Sequence, residues 1–175
     1  PGRLALITGS SHMQLGLTEQ QAHRRGIFGA FPDATISGYS VVEGGQISSG
    51  SILRWFCENF LEAQKVAARG LGTTVYKLLD EQAAKLPPGS EGVVALDYWQ
   101  GNRTPWVDPE ARGVFWGLSL KHKLANLYRA IIESVCYGTH HILSTWRDAG
   151  FEIGEVFACG GATKSPLWMQ IHADV

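Results

Sequence analysis

Three glycine-marked turns carry the clearest chemistry in this sequence: Gly9-Ser10-Ser11, Ser49-Gly50-Ser51 and Gly160-Gly161-Ala162. Two of them directly follow an apolar strand, and two introduce a helix. Glycine at such a place lets backbone amides approach an anion or a flat ring, and a helix N-terminus adds partial positive charge. Hydroxyls beside those amides add donors for phosphate oxygens. A lone glycine after a strand most often makes only a turn. Three such turns in one small chain, all flanked by Ser or Thr, make a nucleotide site a rival to that plain reading.

Other constellations fail on spacing. Lys164-Ser165 resembles the end of a P-loop, but Thr163 stands where its glycine belongs, and there is no Gly-x-Gly-x-x-Gly. His140 and His141 are neighbours on a predicted helix, so their side chains diverge by about 100° and cannot share a metal. Ser10-Ser11-His12 sets a hydroxyl beside an imidazole, but adjacency in sequence is no triad. Tyr98-Trp99 near Arg103 could stack a base. The duller expectation packs the rings on the domain and pairs Arg103 with Asp97 or Asp108. Glu43 is expected where a strand ends against Gly44-Gly45, a place that borders clefts in α/β domains.

The elements that must hold these residues alternate in type. Strands are expected at 4–9, 39–43, 93–96 and 156–159, with a Gly-bearing irregular stretch after Ser11 and a break at Gly44-Gly45. Helices are expected after Ser48-Ser49-Gly50, over 71–86 to Pro87-Pro88-Gly89, over 123–149 to Gly150, and from Pro166 onward. The longest carries a stripe of Leu124, Leu127, Ile131, Val135, Ile142 and Trp146. This is an α/β chain without internal repeats.

The chain has 175 residues, 45% hydrophobic and 18% charged, enough for one core. Its net charge of −1 and lack of a basic block give no footprint for nucleic acid or an anionic membrane. No apolar run approaches the roughly 20 residues of a membrane-spanning helix. Cys57, Cys136 and Cys159 lack metal or disulfide spacing, and buried reduced thiols of a cytoplasmic protein are expected. Pro1 is no initiator, and the last helix meets Val175 without a cap, so the sequence is read as a slice of a longer chain.

Residues 113–133 narrow the reading. Gly113-x-Phe115-x-Gly117-Leu118, seven residues, then Asn126-Leu127-x-x-Ala130-Ile131-Ile132-Glu133 resembles the second signature of the FGGY carbohydrate kinases. Gly101-x-Arg103-x-Pro105, with Asp108 and Gly113, is similar to that family's Gly-x-Arg-x-Pro loop. Residues 158–174 are similar to its adenine-side Gly-Gly motif, and Leu4–Ser11 to its strand and Gly-Thr-Ser turn. Val42-Glu43-Gly44-Gly45-Gln46 resembles a run found in ribulokinase-type members. No family signature is seen at 61–92.

The resemblance implies an actin-like ATPase (ribonuclease H-like) fold of two domains with ATP and Mg2+ in the cleft between them. Residues 1–175 would be the C-terminal ATP-binding domain, incomplete at both ends, without the sugar-holding N-terminal domain. Gly9 and Ser10 would sit at the phosphates, and Gly50 and Arg54 would border the nucleotide. Gly161 and Ser165, with Gly160 beside them, would hold the adenosine end, and Glu43 would reach the sugar. Ser10 keeps the hydroxyl of the usual Thr, whereas Ser165 departs from the Asn of many members. The general-base aspartate would precede Pro1. The implied reaction is phosphoryl transfer from MgATP to a primary hydroxyl of a small sugar, foremost a pentulose such as ribulose, in the cytoplasm, and a homodimer is compatible with it. Alternatives are a xylulose, glycerol or erythritol kinase, a non-catalytic actin-like nucleotide-binding module, or a plain packing domain.

Overall fold

The computed structural model describes residues 2–19 and 26–175. A five-stranded mixed sheet has the order β3-β4-β2-β1-β7. Its strands are β1 (Gly2–Thr8), β2 (His12–Thr18), β3 (Phe28–Pro32), β4 (Ser40–Gln46) and β7 (Ile153–Gly160). β7 runs parallel to β1, and the other pairings are antiparallel. A two-stranded ribbon joins β5 (Val94–Leu96) to β6 (Val114–Trp116). The helices are α1 (Gly50–Phe60), α2 (Glu62–Gly70), α3 (Val75–Ala83), α4 (Leu124–Asp148) and α5 (Pro166–Asp174).

Helix α4 is the central rod. Near its N-terminal end Tyr128, Ile131, Ile132 and Val135 join α1, α3 and α5 in the larger core. Toward its C-terminal end Ile142 and Trp146 rest on Leu4, Leu6 and Val42 of the sheet. That contact needs glycine beneath it. A Cβ on Gly44 would lie 2.7 Å from Ile142 Cγ2, and one on Gly16 2.9 Å from the Trp146 ring. Gly44-Gly45 is therefore the inside of a continuous strand, where a break was expected. Burying side chains of this size contributes about 1.5–3 kcal/mol each.

Other differences have local causes. The helix expected over 71–86 is the shorter α3, which starts at Val75 because Gly72 adopts φ +64° and Thr74 caps it by accepting from Lys77 N at 3.2 Å, while α2 lies ahead of the expected span. Much of the irregular stretch expected after Ser11 is strand, β2 and β3, and the rest of it falls partly outside the described residues. β2 buries His12, Gln14, Gly16 and Thr18 and leaves Met13, Leu15 and Leu17 half-buried, the reverse of the usual alternation. Cys57 and Cys136 are buried, but Cys159 is exposed. No described helix is long and apolar enough to cross a membrane.

The core carries polar groups in pairs. Arg129 Nε donates to Glu133 Oε1 at 2.6 Å, Glu133 Oε1 also accepts from Gly89 N at 3.1 Å, and Arg129 Nη1 donates to Ala83 O at 3.0 Å. Both side chains are buried, so this pair ties the 84–92 connection to α4, and removing one partner would strand a buried charge. Gln46 donates to Asp97 Oδ2 at 2.7 Å and to Val135 O at 2.9 Å while accepting from Thr139 Oγ1 at 2.8 Å.

Titration of the core follows from burial. His12 is packed against Trp168 and His172, and neither of its ring nitrogens has a hydrogen-bond partner among the described residues. Burial, helped by the charge of His172, pushes His12 down to about 3, and burial pushes His172 down to about 4. Burial raises Asp97 to about 6 against the hydrogen bond from Gln46. Acidification protonates the unfolded histidines first, at about 6.5, so each stabilises the fold above that pH and loses its contribution as pH falls. Asp97 acts oppositely, because the folded chain holds its proton more tightly. The net expectation is a loss on the order of 2 kcal/mol between pH 7 and pH 5.5. Urea unfolding at the two pH values measures it. A midpoint that does not move, or a slope left unchanged by His12→Leu, would contradict this account.

Candidate functional site

The C-terminal end of β1 is where the three glycine turns meet. Gly9 opens the turn from β1 to β2, its amide donating to Ser11 O at 2.9 Å. The carbonyl of Ser10 accepts from Ser49 N at 3.0 Å, from Ser51 N at 3.1 Å and from Ser51 Oγ at 2.8 Å. The start of α1 is thereby tied to the β1–β2 turn. Gly50 is required there, since a Cβ would collide with the carbonyl of Gly9.

The third turn is fixed by Thr8. Its buried hydroxyl donates to Cys159 O at 2.7 Å and accepts from Ala162 N at 3.1 Å, locking the end of β7 and the following 3-10 turn (Gly161–Lys164) to β1. Gly160 has φ +103° and faces the Thr8 carbonyl so closely that no side chain fits. Gly161 differs, because a Cβ there would meet only Thr8 O at 3.9 Å.

These turns border a groove of about 920 Å³, within the range of roughly 300–1,000 Å³ typical of small-molecule sites. Of the residues expected at a nucleotide, Gly9, Gly50, Gly161 and Ser165 line it. Ser10 and Gly160 are exposed next to it without lining it. Arg54 does not line it either; its side chain is 74% exposed and pairs along α1 with Glu58 at 2.8 Å. That pair, led by the hydrogen bond that Arg54 donates to Glu58, holds the Arg54 guanidinium above its ordinary value.

The far wall comes mostly from α3, in a segment that bears no signature. Helix α3 contributes Tyr76, Lys77 and Asp80, and α4 contributes Tyr128. Tyr128 Oη donates to Asp80 Oδ1 at 2.8 Å. The Ser165 oxygen accepts from Trp168 N at 3.1 Å as the N-cap of α5. Burial raises the Asp80 carboxyl, and the neighbouring Ser165 and Tyr128 hydroxyls pull it back. Only the amphipathic spacing of α3 hinted that Asp80 faces inward.

Glu43 lies in the middle of β4, paired with Leu15 on one side and Phe28 on the other, where the end of a strand was expected. It forms an ion pair with Arg103, and the Arg103 guanidinium carbon lies 4.6 Å from the centre of the Phe28 ring. The pairing of Arg103 with Asp97 or Asp108 is thus replaced. Asp97 is taken by Gln46, and Asp108 accepts from the amides of Glu110 and Ala111. Arg103 is free to reach Glu43 because Gly45 N donates to Thr104 Oγ1 at 3.2 Å, drawing the 101–105 loop onto β4. Trp99 packs against Trp55 and Phe115. Glu43 does not line the groove. Among the described residues, no three His, Cys, Asp or Glu side chains gather into a metal site.

Comparison with known proteins bears on the family. The family described as "FGGY family of carbohydrate kinases, C-terminal domain" matches residues 4–175. The chain is 40% identical over 179 residues to a ribulokinase from Halalkalibacterium halodurans, covering 100% of this chain and 31% of that protein. It is 37% identical over 177 residues to a ribulokinase from Shouchella clausii, covering 100% and 32%. A crystal structure of xylulose kinase from Rhodospirillum rubrum superposes with a TM-score of 0.83 at 30% identity, covering 99% of this chain and 33% of that one. The chain thus spans about a third of the length of the relatives it matches.

The two adjacent glycines should behave oppositely. Gly160→Ala forces a side chain into the left-handed region and into a carbonyl, and should cost more than about 2 kcal/mol. Gly161→Leu meets neither obstacle; it should leave stability within about 1 kcal/mol while filling the groove. Thermal unfolding of the two variants side by side measures the difference, and equal losses would refute the distinction.

Proposed function

The chain belongs to the FGGY family of carbohydrate kinases, and on that premise we propose that it supplies the ATP-binding half of a sugar kinase whose acceptor is a pentulose, foremost ribulose. Its mixed sheet and helical layer are those of the actin-like ATPase fold. The observation that carries the proposal is the meeting of Gly9, Gly50 and Gly161 on one groove at the end of β1. Turns from three separate stretches of sequence border one cavity there, open to something flat or anionic.

The groove suits a nucleoside triphosphate by the chemistry of its lining. The glycine turns offer close backbone approach, and Gly50 opens a helix whose N-terminal end carries partial positive charge. Lys77 and Lys164 line the same groove. Magnesium would be held chiefly by the phosphates and a carboxylate outside this set, as is usual for that ion. When bound it would neutralise charge developing on the transferring group. This chain's part is to position the β- and γ-phosphates in line with the acceptor, with donors that need no reorganisation as charge shifts. The proton of the sugar hydroxyl would go to an aspartate preceding Pro1.

Glu43 is proposed to meet the sugar. It stands outside the nucleotide groove, and its pair with Arg103 fixes the direction of its carboxylate. The ribulose preference rests on the 42–46 run and on relatives that are ribulokinases. The protein would work in the cytoplasm as part of a longer chain.

A panel of pentuloses and polyols with ATP, assayed on the full-length protein carrying this chain, tests the reading. Ribulose should give the highest kcat/KM, and Gly161→Leu should raise KM for ATP at least tenfold with little change in KM for sugar. Residues 1–175 alone should bind nucleotide weakly and release no ADP in response to sugar. Sugar-dependent ADP release by residues 1–175 alone would count against the division of labour proposed here.

A further inference from the structure

Ser165 was expected at the adenosine end of the nucleotide, yet its oxygen already accepts from Trp168 N at 3.1 Å as the N-cap of α5. The firmly held polar group on this wall is the Asp80 carboxylate, because Tyr128 Oη donates to its Oδ1 at 2.8 Å. Tyr128 is only 2% exposed, so its phenol cannot swing away. A carboxylate offers about four acceptor positions, and this donor leaves about three open.

Charge decides which part of a nucleotide can use them. A carboxylate beside a triphosphate would be repelled, so Asp80 belongs at the nucleoside end. Its companions in the groove include Leu53, Ala84, Leu167 and Trp168, apolar surfaces that suit a purine ring. Glu81 also lines the groove but is exposed and lacks such anchors.

We propose that Asp80 reads the nucleobase by accepting a hydrogen bond from the 6-amino group of adenine, with Tyr128 as the positioning residue. The inference rests on the ATP reading above and assigns the base preference to α3, where the sequence resembles no family motif. Partial burial of the carboxylate strengthens the bond, since neither group is fully paid by water when it is broken.

The test is equilibrium titration of the full-length protein with ATP, with purine riboside triphosphate (which lacks the 6-amine), with 2′-deoxyATP and with GTP. ATP should bind about 10- to 100-fold tighter than purine riboside triphosphate, as expected for one hydrogen bond to a charged group. Asp80→Ala should erase that ratio while leaving the affinity for purine riboside triphosphate unchanged, which also reports that the variant is folded. Tyr128→Phe should narrow the ratio without erasing it. Equal binding of ATP and purine riboside triphosphate by the unaltered protein overturns the inference without need of any variant. So does a ratio that survives Asp80→Ala, a penalty that appears with 2′-deoxyATP instead, or tighter binding of GTP. If none of the four nucleotides binds, the ATP reading itself falls, and this inference with it.

Discussion

The absence of side chains at Gly50 and Gly160 is the constraint on which the rest of this structure depends. Each brings a chain turn against a backbone carbonyl of β1 or its following turn, closer than any Cβ would allow. Hydrogen bonds then fasten the approach. Ser49 and Ser51 donate to Ser10 O, and Ala162 donates to Thr8 Oγ1. Neither set would form at the distance an alanine imposes. The groove lies where these three backbones share one small volume.

A second use of glycine supports the first. Gly16 and Gly44 sink α4 into the sheet, so that Trp146 and Ile142 rest where side chains would otherwise stand. This sets the height of α4 over the sheet, and with it the depth at which Tyr128 meets α3. The polar core follows the same logic. His12, Gln14, Gln46 and Asp97 lie in positions that usually hold aliphatic groups, and most are tied by hydrogen bonds to one another or to α4.

Much of this was legible in the residues. The long stripe of α4, the Pro166 start of α5 and the strands at both ends of the groove follow from periodicity and punctuation. The 113–133 signature gave the family. What escaped has physical reasons. β2 was hidden because its buried face is His12, Gln14, Gly16 and Thr18, so alternation pointed the wrong way. Gly44-Gly45 suggested a break because the need of a packing helix for bare backbone is a long-range fact. Arg103 found Glu43 through a loop geometry that local spacing does not encode. On the site, Gly9, Gly50, Gly161 and Ser165 were named from motifs and meet at the groove. Asp80, Tyr128 and Thr8 were not, because their roles arise only when distant helices and strands come together.

Helix α4 has a further meaning. At about 1.5 Å per residue, its 25 residues make a rod some 37 Å long. One end presents Tyr128 to the groove, and the other bears down on β4, the strand that holds Glu43. No proline interrupts it, its glycine, Gly138, is packed against Gln46 and Asp97, and its sides are locked into both cores. The two ends are therefore parts of a single lever arm. A tilt at the groove wall would reach the Glu43 strand as a rigid rotation, so the groove and the Glu43–Arg103 pair would answer to one mechanical element.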